Sequence, residues 1–187
     1  MKLYLLRHGL TEANARRLYY GKTDLPLSAE GRALLKAAKK PPAVAAYYTS
    51  GLRRADETLR LLCPDAQYAV IPELREMDFG RFEMRGYEEL KDDPDFRRWC
   101  AGDNERNRCP DGESAAEVTE RALRGLRPVL LAGKDALCVT HGGVIAGVMC
   151  AWFGGNRFAW TPPPGDGYRV ELIGLRPVRA EKHSASF

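Results

Sequence analysis

The chain has 187 residues, of which 44% are hydrophobic and 29% are charged. These fractions are ordinary for a globular domain and exclude an extensively disordered chain. Lys and Arg number 29 against 25 Asp and Glu, and the resulting net charge of +4 is too small to indicate a nucleic-acid partner by itself. No apolar run approaches the roughly 18 residues of a membrane helix, so we predict a soluble protein with no membrane partner.

The cysteines indicate a reducing environment rather than a disulfide framework. There are five of them, an odd number, with no CxxC pair and no histidine at metal-ligand spacing. Cys138 and Cys150 lie in apolar runs typical of small core residues. We therefore predict a cytoplasmic protein with no metal and no cofactor.

Short apolar runs alternate with helical patterns along the chain. The predicted strands are residues 2–6, 44–49, 68–71, 136–140 and 168–175. The predicted helices are residues 28–40, residues 53–62, a segment opened by a capping box at Ser114 and Glu117, and residues 142–153. Strands separated by helices favour a three-layer α/β/α fold, with a mostly parallel sheet and helices on both faces.

Two polar segments interrupt this pattern. Residues 91–112 are charged and rich in turn formers, which is typical of a lid or specificity insertion over a cleft. Residues 177–187 are polar and are predicted to form a frayed C-terminal tail. The remaining chain, residues 1–176, is predicted to be a single domain.

Arginines, histidines and a carboxylate follow the first four predicted strands. They are Arg7 and His8, then Arg53 and Arg54, then Glu76, and finally His141. Because ligands of open parallel sheets bind beyond the carboxyl ends of the strands, we expect these side chains to converge on one rim.

The convergent residue types predict a phosphate site with a nucleophile. Arginine can hold phosphate oxygens bidentately, and a neutral imidazole such as His8 can attack phosphorus if its other nitrogen donates a hydrogen bond. A bound phosphate repels a negative charge on a neighbouring carboxylate, so Glu76 can keep a proton for the leaving oxygen. Asn14 and the following helix N-terminus can supply further donors. Arginines and an imidazolium can neutralise the transferred group without a metal ion.

Each of these residues also has an ordinary structural interpretation. His141 could be a satisfied core histidine, and Arg53 and Arg54 the solvated start of a helix. Glu76 could form surface ion pairs. For Glu113, a contact to the ligand and a stabilising charge at a helix N-terminus are both open. The phosphate-site hypothesis is favoured because the alternative requires that the residues of four separate segments all have purely structural roles.

Four motifs contain these residues, in the order Arg7-His8-Gly9-x-Thr11-x-x-Asn14, Ser50-x-Leu52-x-Arg54-Ala55, Leu74-x-Glu76-x-x-Phe79-Gly80 and Val139-Thr140-His141-Gly142-Gly143. Together they resemble the signature of the histidine phosphatase (phosphoglycerate mutase-like) superfamily. The resemblance spans residues 2 to about 153. It implies a mostly parallel sheet with one antiparallel edge strand, for which residues 168–175 are the candidate.

The resemblance also implies a role for each site residue. His8 is the implied nucleophile, which forms a phosphohistidine, and Glu76 is the implied proton donor. The phosphoryl group would be held by Arg7, Arg54 and His141, and the motif register selects Arg54 over Arg53. The residues implied near the phosphate are Thr11, Asn14 and the Gly142 amide.

Within the superfamily, residues 20–27 and 79–85 look most like alpha-ribazole phosphatases and their small phosphatase relatives. This implies a metal-independent phosphomonoesterase acting on a small phosphorylated metabolite, with alpha-ribazole 5′-phosphate as a candidate. The expected leaving-group site combines residues 91–112 with Tyr20, Lys22 and Glu83. Gly21 is a further expected contact to the substrate or its phosphate.

Other functions stay open at this point. A cofactor-dependent phosphoglycerate mutase would transfer the phosphoryl group to a second hydroxyl instead of water, and a non-catalytic module would only bind phosphorylated ligands. A nucleic-acid function rests on net charge alone. The sequence leaves the choice between a monomer and a homodimer open.

Overall fold

The computed structural model describes residues 1–102 and 104–184. Residue 103 of the predicted insertion and residues 185–187 of the predicted tail therefore lie outside the described residues. The strands are β1 (Lys2–Arg7), β2 (Leu18–Tyr19), β3 (Ala46–Thr49), β4 (Tyr68–Val70), β5 (Arg85–Gly86), β6 (Ala136–Thr140), β7 (Gly167–Ile173) and β8 (Arg176–His183). The helices are α1 (Glu12–Ala15), α2 (Ala29–Ala37), α3 (Arg53–Leu62), α4 (Tyr87–Leu90), α5 (Pro94–Cys100), α6 (Ala115–Leu131) and α7 (Gly142–Phe153), with 3₁₀ turns at Pro72–Leu74, Gly80–Phe82 and Arg157–Trp160.

Six of these strands form the central sheet, in the order β4-β3-β6-β1-β7-β8. The first four run parallel, β7 is antiparallel to β1, and β8 is antiparallel to β7. Strands β2 and β5 form a separate antiparallel pair. The mostly parallel sheet predicted from the strand–helix alternation is thus confirmed.

Helices cover both faces of the sheet, because its central strands are apolar on both sides. In β1, Leu3 and Leu5 pack into a core that includes residues of α6 and α7. The alternate residues Tyr4 and Leu6 pack with residues of α2 and α3. This two-residue alternation makes β1 the middle of a three-layer α/β/α arrangement.

The helix starts follow their predicted caps more closely than the helix ends do. The Ser28 side chain accepts from the Gly31 amide at 3.0 Å, and Ser114 and Glu117 form the predicted capping box. Helix α2 ends at Ala37 rather than near residue 40, because Ala38 has an extended backbone and packs into the core. The proline pair at residues 41–42 therefore lies beyond the end of the helix.

The C-terminal prediction is wrong for the residues that the structure describes up to His183. Strand β8 pairs with β7 along its length, and Arg169 of β7 forms a 2.6 Å ion pair with Glu181 of β8. An edge strand needs little apolar surface, so its polar composition resembles that of an unstructured tail. The antiparallel strand predicted at residues 168–175 exists as β7, but it is not the sheet edge, because β8 covers it.

No helix in the described ranges has the length and apolar character required to cross a membrane.

Candidate active site

The parallel pairing of β1 and β6 brings two histidines together. Arg7 lies opposite Thr140 in the register of the two strands, and the His8 amide donates to the Thr140 carbonyl at 2.9 Å. His8 and His141 therefore leave the sheet side by side, with ring centroids 5.1 Å apart. The predicted convergence at the carboxyl ends of the strands follows from this register.

The His8 side chain is buried and has a defined tautomer. Its Nδ1 lies 2.7 Å from the Gly9 carbonyl oxygen, which can only accept, so Nδ1 carries the proton and Nε2 carries the lone pair. Burial, followed by the charges of Arg54 and Arg7, lowers the pKa of His8 well below its usual value. The imidazole is therefore neutral at neutral pH, as a nucleophile requires.

Arg54 lies in the first turn of α3 and is fully buried beside this pair. Its Nη1 donates to the Thr23 carbonyl at 2.9 Å, its Nη2 to the Gly21 carbonyl at 2.7 Å, and its Nε to His141 Nδ1 at 3.3 Å. The guanidinium carbon lies 4.8 Å from the centroid of the Tyr20 ring, over its face. The neighbouring Arg53 is exposed, in agreement with the motif register that selects Arg54.

His141 has hydrogen-bond partners at both ring nitrogens. Because the Arg54 guanidinium donates to Nδ1, the ring proton lies on Nε2, which is 2.8 Å from Ser50 Oγ. Burial and then the charge of Arg54 lower the pKa of His141 well below its usual value. At neutral pH the ring is therefore a neutral imidazole.

Arg7 supplies a second cation, which is partly buried. Its Nη1 donates to the Pro162 carbonyl at 2.8 Å, while its Nε is buried with no hydrogen-bond acceptor among the described residues. A Cβ at position 142 would lie 3.1 Å from Arg7 Cζ, so Gly142 lets the guanidinium lie against the start of α7. An orphaned buried donor is costly, and one on a guanidinium is suited to an anionic ligand.

The Glu76 carboxylate lies against the N-terminus of α7. Its Oε2 accepts from the Gly143 amide at 3.0 Å and its Oε1 from the Met77 amide at 2.9 Å. A Cβ at position 143 would lie 2.5 Å from Oε1, so a glycine is required for this contact. Glu76, Arg7 and both histidines are thus gathered around the first turn of α7.

Thr11 and Asn14 cap the four-residue helix α1. Asn14 Oδ1 accepts from the Thr11 amide at 3.1 Å, from Thr11 Oγ1 at 3.0 Å and from the Tyr20 hydroxyl at 3.0 Å. These contacts hold Tyr20 next to His8, and the centroids of the two rings are 6.4 Å apart. Direct contact of Thr11, Asn14 or Tyr20 with a phosphate stays a prediction.

Glu83 supports a loop rather than a cavity wall. Its Oε1 accepts from the Gly21 amide at 2.8 Å, and its Oε2 accepts from Thr23 Oγ1 at 2.6 Å. Lys22 in the same loop pairs with Asp78 at 3.1 Å. Glu83 therefore stabilises the loop whose carbonyls bind Arg54.

A cavity of about 390 Å³ opens beside Glu76 and Gly143. Its aromatic lining comes from four separate segments: Tyr19, Phe79, Trp99 and Phe158. Trp99 belongs to the 91–112 segment, which thus lines part of this cavity. That the cavity takes the leaving group stays a prediction.

Outside the 91–112 segment, the residues that line the cavity are not the ones predicted for the leaving-group site. Among the described residues, its lining includes Tyr19, Phe158 and Arg157, which the sequence analysis missed, but not Tyr20, Lys22 or Glu83. Phe79 was recognisable from the sequence, because it belongs to the motif Leu74-x-Glu76-x-x-Phe79-Gly80. The surroundings of Arg157 and Phe158 carry no pattern that separates them from an ordinary surface turn.

No group of three or more His, Cys, Asp or Glu side chains placed to hold a metal ion occurs within residues 1–102 and 104–184.

Comparison with known proteins agrees with this geometry. The chain matches the family model of the histidine phosphatase superfamily (branch 1) over residues 3–174. It is 34% identical over 155 residues to the adenosylcobalamin/alpha-ribazole phosphatase of Escherichia coli (strain K12), covering 78% of this chain and 76% of that protein. It is 33% identical over 150 residues to the probable phosphoglycerate mutase GpmB of Enterobacter sp. (strain 638), covering 76% of this chain and 70% of that protein.

Solved structures show the same similarity at the level of the fold. The alpha-ribazole phosphatase from Shigella flexneri superimposes with a TM-score of 0.85 at 27% identity, covering 100% of this chain and 98% of that one. A phosphoglycerate mutase from Thermus thermophilus gives a TM-score of 0.75 at 32% identity, covering 96% of this chain and 98% of that one. With its site histidines and arginines on matched strand ends, this chain belongs to the histidine phosphatase superfamily.

Proposed function

We propose that the protein is a phosphomonoesterase that hydrolyses a small phosphorylated metabolite through a phosphohistidine. The observation that carries this proposal is the neutral, buried His8 with its Nε2 lone pair, placed beside the guanidinium groups of Arg7 and Arg54. A neutral nucleophile beside one buried and one partly buried cation matches the needs of an attack on an anionic phosphate.

In the first step, His8 Nε2 attacks phosphorus and a P–N bond forms. The bond between phosphorus and the ester oxygen breaks, and that oxygen takes the proton of the Glu76 carboxyl group as it leaves. Arg7 and Arg54 stabilise the charge on the phosphoryl oxygens in the transition state, and the Gly142 amide at the start of α7 adds a donor.

In the second step, water attacks the phosphorus of the phosphohistidine. Glu76, now a carboxylate, accepts a proton from this water, the P–N bond breaks, and inorganic phosphate leaves. His8 recovers its lone pair and Glu76 its proton, so the cycle closes with one phosphate ester and one water consumed.

The cavity beside Glu76 favours a bulky leaving group with a flat apolar part. Tyr19, Phe79, Trp99 and Phe158 offer aromatic surface at the position where the leaving oxygen accepts its proton. A phosphoglycerate is small and anionic, and this lining suits it poorly. We therefore favour a substrate of the alpha-ribazole 5′-phosphate type over a phosphoglycerate, in line with the phosphatase names of two similar proteins.

The first test is replacement of the proposed nucleophile. We expect His8→Ala to lower the turnover of p-nitrophenyl phosphate by at least about 10³-fold and to abolish acid-labile labelling of the protein by a ³²P-phosphoester. His183→Ala, a change in strand β8, is the matched control and should retain both. Wild-type turnover by His8→Ala would refute the mechanism. In a separate measurement, we expect the wild-type protein to stay active in EDTA, because Arg7 and Arg54 are proposed to supply the positive charge at the phosphate.

A substrate panel separates hydrolysis from phosphoryl transfer. We expect release of inorganic phosphate from alpha-ribazole 5′-phosphate to exceed release from 3-phosphoglycerate. Conversion of 3- to 2-phosphoglycerate dependent on 2,3-bisphosphoglycerate would instead support the mutase. Phosphate binding without a trapped phosphoenzyme would support a binding module.

A further inference from the structure

We propose that Arg121 of helix α6 is a positioning residue that fixes the backbone of Glu76 for proton transfer. The sequence analysis gave Arg121 no role, and this inference rests on the proposed function, in which Glu76 is the acid. Arg121 makes no hydrogen bond to either site histidine and acts through the loop that carries Glu76.

The Arg121 guanidinium binds three carbonyls in the short segment that leads into Glu76. Its Nη1 donates to the carbonyls of Glu73 and Arg75, each at 2.6 Å, and its Nη2 donates to the carbonyl of Glu76 itself at 3.0 Å. Glu73 lies in the 3₁₀ turn Pro72–Leu74, and Arg75 and Glu76 follow that turn in irregular backbone, so none of the three has a strand partner. One side chain therefore supplies donors that a sheet ladder would supply elsewhere.

The same guanidinium forms a bidentate pair with Glu113. Arg121 Nε and Nη2 each lie 2.8 Å from one carboxylate oxygen of Glu113, and the Arg121 side chain is only 15% exposed. The five N–H groups of arginine thus match five acceptor contacts, which fixes the plane of the guanidinium. Lysine, with three donors on one atom, cannot reproduce this arrangement.

Arg121 and Glu113 together form a clamp on the backbone around Glu76. Glu113 binds the chain on the C-terminal side of Glu76. Its Oε2 accepts from the Asp78 amide at 3.0 Å, and its own amide donates to the Asp78 carbonyl at 2.9 Å. Burial would raise the pKa of Glu113, but the hydrogen bonds from Arg121 and from the Asp78 amide outweigh it and lower that pKa. Glu113 is therefore an anion that holds Arg121 in place.

The clamp and the Gly143 amide hold Glu76 from two directions. Arg121 and Glu113 hold the backbone before and after Glu76, while Gly143 and Met77 amides bind its carboxylate. Helix α6 lies close enough that a Cβ at Gly125 would be 2.6 Å from Glu73 Cβ. A displacement of about 1 Å at a reacting group can cost about 10²-fold in rate, so the loss of the clamp should reach the chemistry.

The dependence of the rate on the leaving group distinguishes positioning from general structural support. A misplaced acid harms a poor leaving group, which needs the proton, much more than a good one. We therefore expect Arg121→Gln to lower kcat/KM for phenyl phosphate by about 10- to 100-fold, but to lower kcat/KM for p-nitrophenyl phosphate by less than about fivefold. Arg124→Gln, an exposed position one turn further along α6, is the matched control and should change neither value.

A double-mutant cycle identifies the group through which Arg121 acts. In a Glu76→Gln background there is no proton to position, so adding Arg121→Gln should have little further effect on phenyl phosphate. Equal losses with both substrates, or a full additional loss in the Glu76→Gln background, would overturn the proposal. Glu113→Gln keeps the shape of the carboxylate but weakens the clamp, and it provides the same comparison if Arg121→Gln does not fold.

The outcome for Glu76→Gln alone distinguishes this proposal from the proposed function. If Glu76→Gln shows no leaving-group dependence, the acid role of Glu76 is wrong and the proposed mechanism fails with it. If Glu76→Gln shows this dependence but neither Arg121→Gln nor Glu113→Gln does, the mechanism stands and only the positioning role of Arg121 is refuted.

Discussion

The two site histidines are buried next to guanidinium groups, and this surrounding decides their protonation. A buried imidazole beside a cation is disfavoured in its charged form on two counts, because it loses solvation and is repelled. After burial, the charge of Arg54 is the largest cause of the lowered pKa of both rings. The lone pair on His8 thus stays free of a proton because the ring is buried and two positive charges lie close to it.

This protonation state predicts a pH dependence of stability. Below about pH 6.5, the usual pKa of histidine, the unfolded chain binds protons that the folded chain does not, so the free energy of unfolding falls as the pH falls. The slope approaches about 1.4 kcal/mol per pH unit for each such histidine. Urea unfolding at pH 7.5, 6.5 and 5.5 should give a shallower dependence for His141→Asn than for the wild type.

The control for this measurement is Arg53→Gln, an exposed change that removes no group titrating in this range. It should keep the wild-type pH dependence. If His141→Asn also keeps the wild-type pH dependence, His141 is not held neutral by the fold.

At the scale of the element, α5 connects the polar 91–112 segment to the core. Phe96 is buried among aromatic rings, with centroids 5.5 Å from Tyr19 and 5.6 Å from Trp99. Trp99 in turn lies edge-on to Phe79 at 6.2 Å. This aromatic cluster orders helix α5 as one wall of the cavity, although half of the residues in the 91–112 segment are charged.

The cluster predicts a selective effect of removing Trp99. We expect Trp99→Ala to raise KM for substrates with an aromatic leaving group by about 10-fold or more, because stacking on an aromatic ring contributes roughly 1–3 kcal/mol. For glycerol phosphate, which lacks a ring, KM should change little. Arg98→Ala, which removes an exposed side chain paired with Asp95, is the control on the same helix. Equal effects on both substrates would contradict the assignment of this wall.

The motif segments were predictable because their signals are local. The strand residues 136–140 and the helix residues 53–62 have the predicted bounds, since apolar periodicity and flanking turns define both. Strand β8 was missed because its residues lack an apolar face. What stabilises it is the backbone of β7, which only the folded sheet supplies.

At the scale of the whole molecule, β8 closes one edge of the sheet. It covers the backbone of β7, whose Val170 and Leu172 are buried in the core. Without β8, strand β7 would expose its hydrogen-bonding groups to other chains.

This position predicts the result of a truncation. We expect removal of residues 176–187 to lower the free energy of unfolding by roughly 5–10 kcal/mol, since about seven backbone pairings are lost at roughly 1 kcal/mol each, together with some apolar burial. Urea unfolding measures the change, and size-exclusion chromatography detects association through the exposed edge. A chain ending at Ser184 retains β8 and serves as control. Unchanged stability after the longer truncation would show that β8 contributes little.

The sequence by itself determined the fold class, the family and the residues that meet at the strand ends. Each of those depends on local periodicity or on motif spacing, and parallel strands bring their ends together regardless of the detail between them. The tertiary structure alone decided the tautomers of the histidines, the supporting role of Glu83 and the aromatic lining of the cavity. These depend on contacts between distant segments, such as Arg54 with His141, 87 positions apart, which no local pattern encodes.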